Sequence, residues 1–189
     1  MIYLASTSPR RKALLRKAGI QFRVVQPDYD EFMTRKTPPS QVVQIHAVKK
    51  AESCRRKIKN GILLAADTLV YLKGEAIGKP RNMREARLIL GKLQGRWHWV
   101  YTGVALLKLV SGRTLKKLVF FEKTKVRLKK LSPRQIKNYF LRVHPLDKAG
   151  AYAIQSAHGG IIQAVKGPLS NAVGLPVEKV REKLRAIDS

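Results

Sequence analysis

Two rhythms of apolar and polar residues run along this chain, and the switches between them mark its elements. IYLAS (2–6) is a short apolar run of strand length, cut off by hydroxyl residues and a proline. Ser8 is then placed to cap a helix, with Pro9 at its first position, Gly19 at its end, and Leu14, Leu15 and Ala18 on one face. QFRVVQP (21–27) predicts a second strand and leads into an acidic loop, DYDEF (28–32). TPPS (37–40) breaks the chain and caps a longer helix to about Asn60, where Val43, Ala47, Ala51, Cys54 and Ile58 recur at helical spacing.

ILLAADTLVYL (62–72) is apolar enough for a central strand, yet it carries Asp67. KGE (73–75) turns the chain and GKP (78–80) closes that segment. Asn82 and Glu85 form a capping-box pattern for a helix stopping at Gly91 or Gly95. WHWVYTGVALLKL (97–109) and KKLVFFEKTKVRL (116–128) predict a long hairpin around SGRT (111–114), and Ser132 and Pro133 open a helix to about Val143. DKAGAYAIQ (147–155) and GGIIQAV (159–165) read as loop and strand, and a final amphipathic helix follows GPLSNAVGLP (167–176). Helices and strands alternate at both ends, with long antiparallel strands between them. That order gives a mixed α/β class, and no internal repeat is present.

Length fits one domain, residues 1–189, with room for a division into lobes. A hydrophobic fraction of 44% is that of a folded protein, and no apolar run reaches the roughly 18 residues of a membrane span. The start does not read as a secretion signal, because Ser6 to Arg11 cuts the apolar run short. Cys54 is the only cysteine, and His46, His98, His144 and His158 lack metal-ligand spacing. A cytoplasmic protein without a zinc site is the expectation.

Charge changes the picture. Lys and Arg number 39 against 12 Asp and Glu, a formal +27, which attracts polyanions. The cations are spread along the chain. In KTKVRLKK (123–130) they recur with period two opposite Val126 and Leu128, the pattern of a solvated strand face. No aromatic-studded basic strip or groove-reading motif stands out.

Chemistry concentrates at a few places. Ser6, Thr7 and Ser8 lie between a strand and a helix N-terminus, whose free N–H groups bind phosphate, and Arg10 and Arg11 add planar cations there. The alternative is a capped surface helix with two solvated arginines. Neither a Walker-type nor a dinucleotide-binding glycine loop is present. Asp67 needs a compensating charge or metal within its apolar strand. It either caps a neighbouring turn or positions a cation or water, and Lys79 can return to the same strand end. Lys50 and Glu31 read, on sequence alone, as surface charges. Asp147, Lys148, Gly150 and Gln155 suit a loop closing over a base or phosphate, although Asp147 and Lys148 can also simply pair.

Together these segments resemble the Maf-like nucleotide pyrophosphatases. The resemblance rests on LASTSPRRKALL (4–15), DYDE (28–31), HAVKKA (46–51), AADTLV (65–70), GKP (78–80), YTGVAL (101–106), KTKVRLKKLS (123–132), PLDKAGAYAIQ (145–155) and VGLP (173–176), in order along nearly the whole chain. It implies a fold like that of inosine triphosphate pyrophosphatases, a mixed sheet with flanking helices in two lobes around a cleft. It also implies a divalent-metal-dependent reaction (Mg or Mn) that splits a nucleoside triphosphate into monophosphate and pyrophosphate. Ser6, Arg11, Glu31, Lys50, Asp67 and Lys79 fall on the family's site residues. By that resemblance Asp67 would be the proton acceptor, Glu31 and Asp67 would bind metal, and Ser6, Arg11, Lys50 and Lys79 would bind substrate.

Arg10, Thr68 and Gln155 match the subgroup for dTTP and UTP, whereas the 7-methyl-GTP subgroup has Trp, Gln and Glu at those places. A homodimer is likewise implied by resemblance alone. Leu169 departs from the pattern, standing where the family commonly places an aromatic residue. The +27 charge departs too, and it implies weak non-specific nucleic-acid binding. The alternatives are a 7-methyl-GTP-type enzyme or a non-catalytic nucleic-acid-binding or cell-division regulator.

Overall fold

The ILLAADTLVYL run forms the spine of the fold as strand β3 (Gly61–Leu72), buried along most of its length. The structure is a computed structural model and describes residues 1–30, 37–154 and 160–188. Before β3 come β1 (Ile2–Ala5), α1 (Pro9–Lys17), β2 (Arg23–Val25) and α2 (Pro39–Arg55). After it come β4 (Glu75–Ile77), α3 (Met83–Leu93), β5 (Trp97–Val110), β6 (Arg113–Leu128), α4 (Pro133–Phe140), a short helical turn at Ala149–Ala151, β7 (Ile162–Lys166), α5 (Leu169–Val173) and α6 (Val177–Asp188).

The sheet runs β2-β1-β3-β5-β6-β7, with β4 also on β3. The β1 and β2 pairings are parallel and the rest antiparallel, so the mixed α/β class is as expected. One detail of register matters most. β1 pairs with β3 through Leu64, and β4 pairs with β3 from Val70 to Leu72, both on the edge facing away from β5. Between them, residues 65–69 of β3 pair with no strand on that edge among the described residues. This gap opens the cleft.

Each face of the sheet is packed by different helices. On one face, α1 and α6 cover Leu4, Ile62, Leu64, Val104 and Leu106, while α3 and α4 cover Val70, Val100, Val126 and Leu128. The gap separates these two clusters. On the other face, Ala47, Ala51 and Cys54 of α2 cover Leu63, Ala65, Ala105 and Leu107.

Several local expectations need correction. Ser8 precedes α1 but its side chain caps nothing; its own N–H donates to Ser6 Oγ at 3.2 Å. Pro38 occupies the cap position of α2, with Pro39 in the first turn, and that helix stops at Arg55 rather than near Asn60. Of the two ends offered for helix α3, Gly95 and not Gly91 is the right one: the helix runs through Gly91 to Leu93, with Gln94 as its cap and Gly95 just beyond. Asn82 Oδ1 accepts from the Glu85 N–H at 2.9 Å, but the Glu85 carboxylate takes the Arg81 N–H, so only half of the box forms. Helix α4 ends at Phe140, not Val143. Strand β4 and helix α5 were not expected. Each is too short, at 3 and 5 residues, to show a periodic signal.

The basic run in β6 also differs from a plain solvated face. Register places Tyr101 opposite Lys123, Trp99 opposite Lys125 and Trp97 opposite Arg127. Lys123 Nζ lies 4.9 Å from the centre of the Trp99 ring, and Lys125 Nζ lies 5.6 Å from Trp97 and 5.4 Å from Trp99. An aromatic-studded basic strip therefore exists, assembled across strands where no contiguous sequence shows it.

Candidate active site

The free edge of β3 is wrapped by a cleft of about 730 Å³ that reaches it from both faces of the sheet. Thr68, Val70 and Val100 line it from the side of the divided helices, and Lys50 and Asp67 from the side of α2. The loop from Ala5 to Arg11, Lys79, the segment 147–149 and Ala172–Gly174 complete its rim. Ser6, Arg10, Arg11, Lys50, Asp67, Thr68 and Lys79, each singled out from the sequence, thus share one cavity. Glu31 and Gln155 lie outside the described residues.

Asp67 is 6% exposed and Lys50 likewise 6%, so neither is a surface charge. Lys50 Nζ donates to Asp67 Oδ1 at 2.5 Å, which corrects the sequence reading of Lys50. The second carboxylate oxygen, Oδ2, accepts from no described residue and remains for whatever enters the cleft. Burying two ions is costly unless they satisfy each other. Here the pair fixes the carboxylate in one orientation.

Arg11 folds back from the first turn of α1 into the cleft floor. Its Nε donates to Gly174 O at 2.9 Å, Nη1 to Ser6 Oγ at 3.2 Å and Nη2 to Thr68 Oγ1 at 3.1 Å. The first turn of α1 holds no acid, so the helix end and the guanidinium present the same sign to the cavity. Arg10 behaves differently. Its Nη1 meets Asp147 Oδ2 at 2.8 Å and its Nη2 meets Asp147 O at 3.0 Å, tying α1 to the rim loop. Lys148 Nζ also reaches Asp147, at 2.5 Å, so the two do pair as well as line the cleft. Burial pushes the Asp147 carboxyl up, but Lys148 and Arg10 outweigh it and hold it below the usual carboxylate range.

The residues behind Thr68 were missed from the sequence. Thr68 Oγ1 and Thr102 Oγ1 lie 3.1 Å apart, Thr102 Oγ1 donates to Asn171 O at 3.0 Å, and Asn171 Nδ2 donates to Thr124 Oγ1 at 2.9 Å. This buried polar seam holds α5 against β5 and β6 and backs Arg11. Neutral hydroxyls and an amide, scattered over more than a hundred residues, give no local pattern to find. Gly150 was expected to sit over a ligand. Instead it is buried, its N–H donating to Gly78 O at 3.1 Å, and the rim glycine packs beside Val70 and Leu93. Leu169 is 51% exposed and lies off the cleft, whose wall there is Ala172, Val173 and Gly174.

Tyr152 lines the cleft and is anchored from behind by His98, with Nε2 and the hydroxyl 2.7 Å apart. Burial lowers the His98 pKa to about 4, the Arg96 backbone pulling weakly upward. An imidazole harder to protonate when folded stabilises the fold above its unfolded value of 6.5 and loses that contribution as pH falls towards 4. At about 1.4 kcal/mol per unit, the loss is of the order of 3 kcal/mol. Thermal unfolding followed from neutral pH down to about 4 is expected to show this decline. His98→Gln, which keeps an acceptor for the Tyr152 hydroxyl, is expected to remove most of it.

A recess lined by guanidinium, ammonium and hydroxyl groups around one oriented carboxylate is built for a multiply charged anion. The comparisons agree with that class. The model for the Maf family, described as Maf-like protein, matches residues 1–187, and the chain belongs to this family. The chain is 38% identical over 187 residues to the dTTP/UTP pyrophosphatase of Dictyoglomus thermophilum, covering 98% of this chain and 95% of that protein. It is 42% identical over 183 residues to the dTTP/UTP pyrophosphatase of Symbiobacterium thermophilum, covering 97% and 92%. Among solved structures it is similar to the Staphylococcus aureus Ham1 protein, with 16% identity, a TM-score of 0.47 and 98% of each chain covered. No helix among the described residues is long and apolar enough to cross a membrane.

Proposed function

We propose that the cleft hydrolyses dTTP and UTP to the monophosphate and pyrophosphate. Water attacks the α-phosphorus in line with the bridging oxygen to the β-phosphorus; that P–O bond breaks and pyrophosphate leaves. Asp67 Oδ2 accepts the proton of the attacking water while Lys50 holds Oδ1 in place. Ser6, Arg11 and Lys79 hold the phosphate chain, with Lys50 adding charge beside the acid. The observation carrying this reading is that the family's site residues among those described, brought from separate segments, line a single cavity. The names of the relatives support dTTP and UTP as substrates.

The carboxylate also suits a divalent cation. Hard cations such as Mg²⁺ typically take one or two carboxylates and complete their shell with water and substrate phosphates. Asp67 Oδ2 has that capacity, and no cluster of three or more His, Cys, Asp or Glu occurs among the described residues to form an all-protein cage. Asp67, with Glu31, would hold Mg²⁺ or Mn²⁺. The ion's contribution is to neutralise charge on the phosphates.

For the base, Arg10, Thr68 and Gln155 are the specificity residues. Thr68 acts by fixing Arg11, and Arg10 by fixing the Asp147 rim. Pyrophosphate release is measured across the common triphosphates and 7-methyl-GTP, in water enriched in oxygen-18. Turnover of dTTP and UTP is expected to exceed that of 7-methyl-GTP by about tenfold or more, a gap a single set of pocket contacts supplies. The label is expected in the monophosphate. Label in the pyrophosphate, or preference for 7-methyl-GTP, overturns the reading.

A further inference from the structure

One quarter of the sheet carries a surface unrelated to the cleft. On the face packed by α2, helix and sheet meet at Gly103, where the Val43 backbone comes so close that no Cβ fits. Beyond Gly103 towards Trp97, the same face continues with Tyr101, Trp99 and Trp97 on β5, all half-buried. Register aligns Tyr71, Trp99, Lys125 and Lys166 in one row across β3, β5, β6 and β7. Adjacent rows add Tyr101 with Lys123, and Trp97 with Arg127. Tyr101 lies 6.2 Å from Tyr71, 6.4 Å from Trp99 and 6.3 Å from Phe121, which is itself 37% exposed. The rings thus form a contiguous cluster, tilted against one another by 35° to 88°.

The cations beside these rings are uncompensated. Lys123, Lys125, Arg127 and Lys166 make no ion pair among the described residues, and no Asp or Glu shares their part of the face. Glu122 points to the opposite face, where it meets Lys179. Arg127 Nε is buried without a hydrogen-bond partner among the described residues. The lysines rest on the rings instead, with Lys166 Nζ 5.4 Å from the Trp97 centre. An ammonium over an indole face is stabilised by about 0.5–1 kcal/mol at exposed sites, so an anion can draw it away and leave the ring open.

We infer that this face binds single-stranded nucleic acid, with bases stacked on Trp97, Trp99 and Tyr101 and phosphates held by Lys123, Lys125, Arg127 and Lys166. The row spans three strand spacings, about 14 Å, enough for the two or three bases that four-stranded aromatic sheets stack in other RNA-binding folds. Aromatic rings presented on a sheet can stack unpaired bases, whereas a duplex keeps its bases already stacked on one another. A second copy of the chain on this face would set the same cations against each other. An acidic membrane surface offers these rings no base faces to stack on.

Trp97 and Trp99 are the only tryptophans, so their emission reports this surface and not the cleft. The full chain is titrated with a fluorescein-labelled oligodeoxyadenosine of about twelve nucleotides, a length within single-strand site sizes. Rising anisotropy with quenched tryptophan emission is expected. Trp99→Leu, which leaves net charge unchanged, is expected to weaken binding about fivefold or more. Lys123→Gln with Lys125→Gln is expected to weaken it and flatten its salt dependence. Removing the same charge from α4, by Arg134→Gln with Lys137→Gln, is expected to leave affinity within about twofold.

Binding that ignores Trp99→Leu and responds equally to both charge pairs is diffuse electrostatics and overturns the inference. So does unquenched emission, preference for anionic phospholipid vesicles, or sedimentation as a dimer that the strip variants dissociate. If Trp99→Leu does not fold, the Lys123 and Lys125 pair decides the matter through the comparison with α4.

Discussion

Asp67→Asn is expected to slow pyrophosphate release from dTTP by about 10²–10⁴-fold, the range that a positioned general base contributes. Asparagine keeps an oxygen for Lys50 at the place of Oδ1, so the buried contact keeps its shape while the proposed proton acceptor is lost. The loss is therefore expected mainly in kcat, with KM for dTTP changed much less. The same variant also takes one negative charge from beside the buried Lys50, which is expected to destabilise the fold. Turnover has to be read well below the variant's own unfolding temperature, with circular dichroism as the check. A folded Asp67→Asn protein that turns over dTTP at the wild-type rate would show that the acid serves structure alone.

The second large effect is mechanical. A Cβ on Gly103 would sit 2.3 Å from the carbonyl carbon and oxygen of Val43 and 2.6 Å from the Gln44 nitrogen. These are backbone atoms of α2 and cannot rotate aside, so the whole helix must lift from the sheet. Lys50 lies seven residues beyond Val43, two turns along the same helix face. Lifting α2 therefore draws Lys50 away from Asp67. Gly103→Ala is expected to destabilise the fold by about 3 kcal/mol or more, at the upper end for overpacking, and to lower dTTP turnover even where the variant remains folded. Gly91→Ala is the control: it lies inside α3 with open space around it, and alanine there is expected to stabilise by about 0.5–1 kcal/mol. Denaturant midpoints of the two variants should move in opposite directions.

Legibility in the sequence followed the reach of each signal. Alternating residues specified the hairpin of β5 and β6, and helical spacing specified α2, because both signals are local and repeated over many residues. Capping was less secure. Ser132 and Gln135 make a full capping box, whereas the Ser8 side chain accepts nothing from the first turn of α1.

Within the candidate site, SPRR and the acid in an apolar strand were visible because they break local rules. Lys50 was not, since a lysine on a helix looks solvated until tertiary structure buries it against Asp67. The Thr68–Thr102–Asn171–Thr124 seam was invisible for a related reason, as threonines within strands raise no alarm. The aromatic strip is the instructive case. WHWVY and KTKVR each alternate correctly, but only counting back from the hairpin turn puts Trp99 opposite Lys125.

That β1 stops at Ala5 has a consequence for the origin of the cavity. A slightly longer first strand would continue its ladder along β3 and zip the sheet shut over Asp67. The pocket thus owes its existence to a strand that ends early, and not to any loop added around it. Variation among homologues in where that strand gives way to the hydroxyl-rich turn should change pocket depth directly, and would carry Ser6 with it.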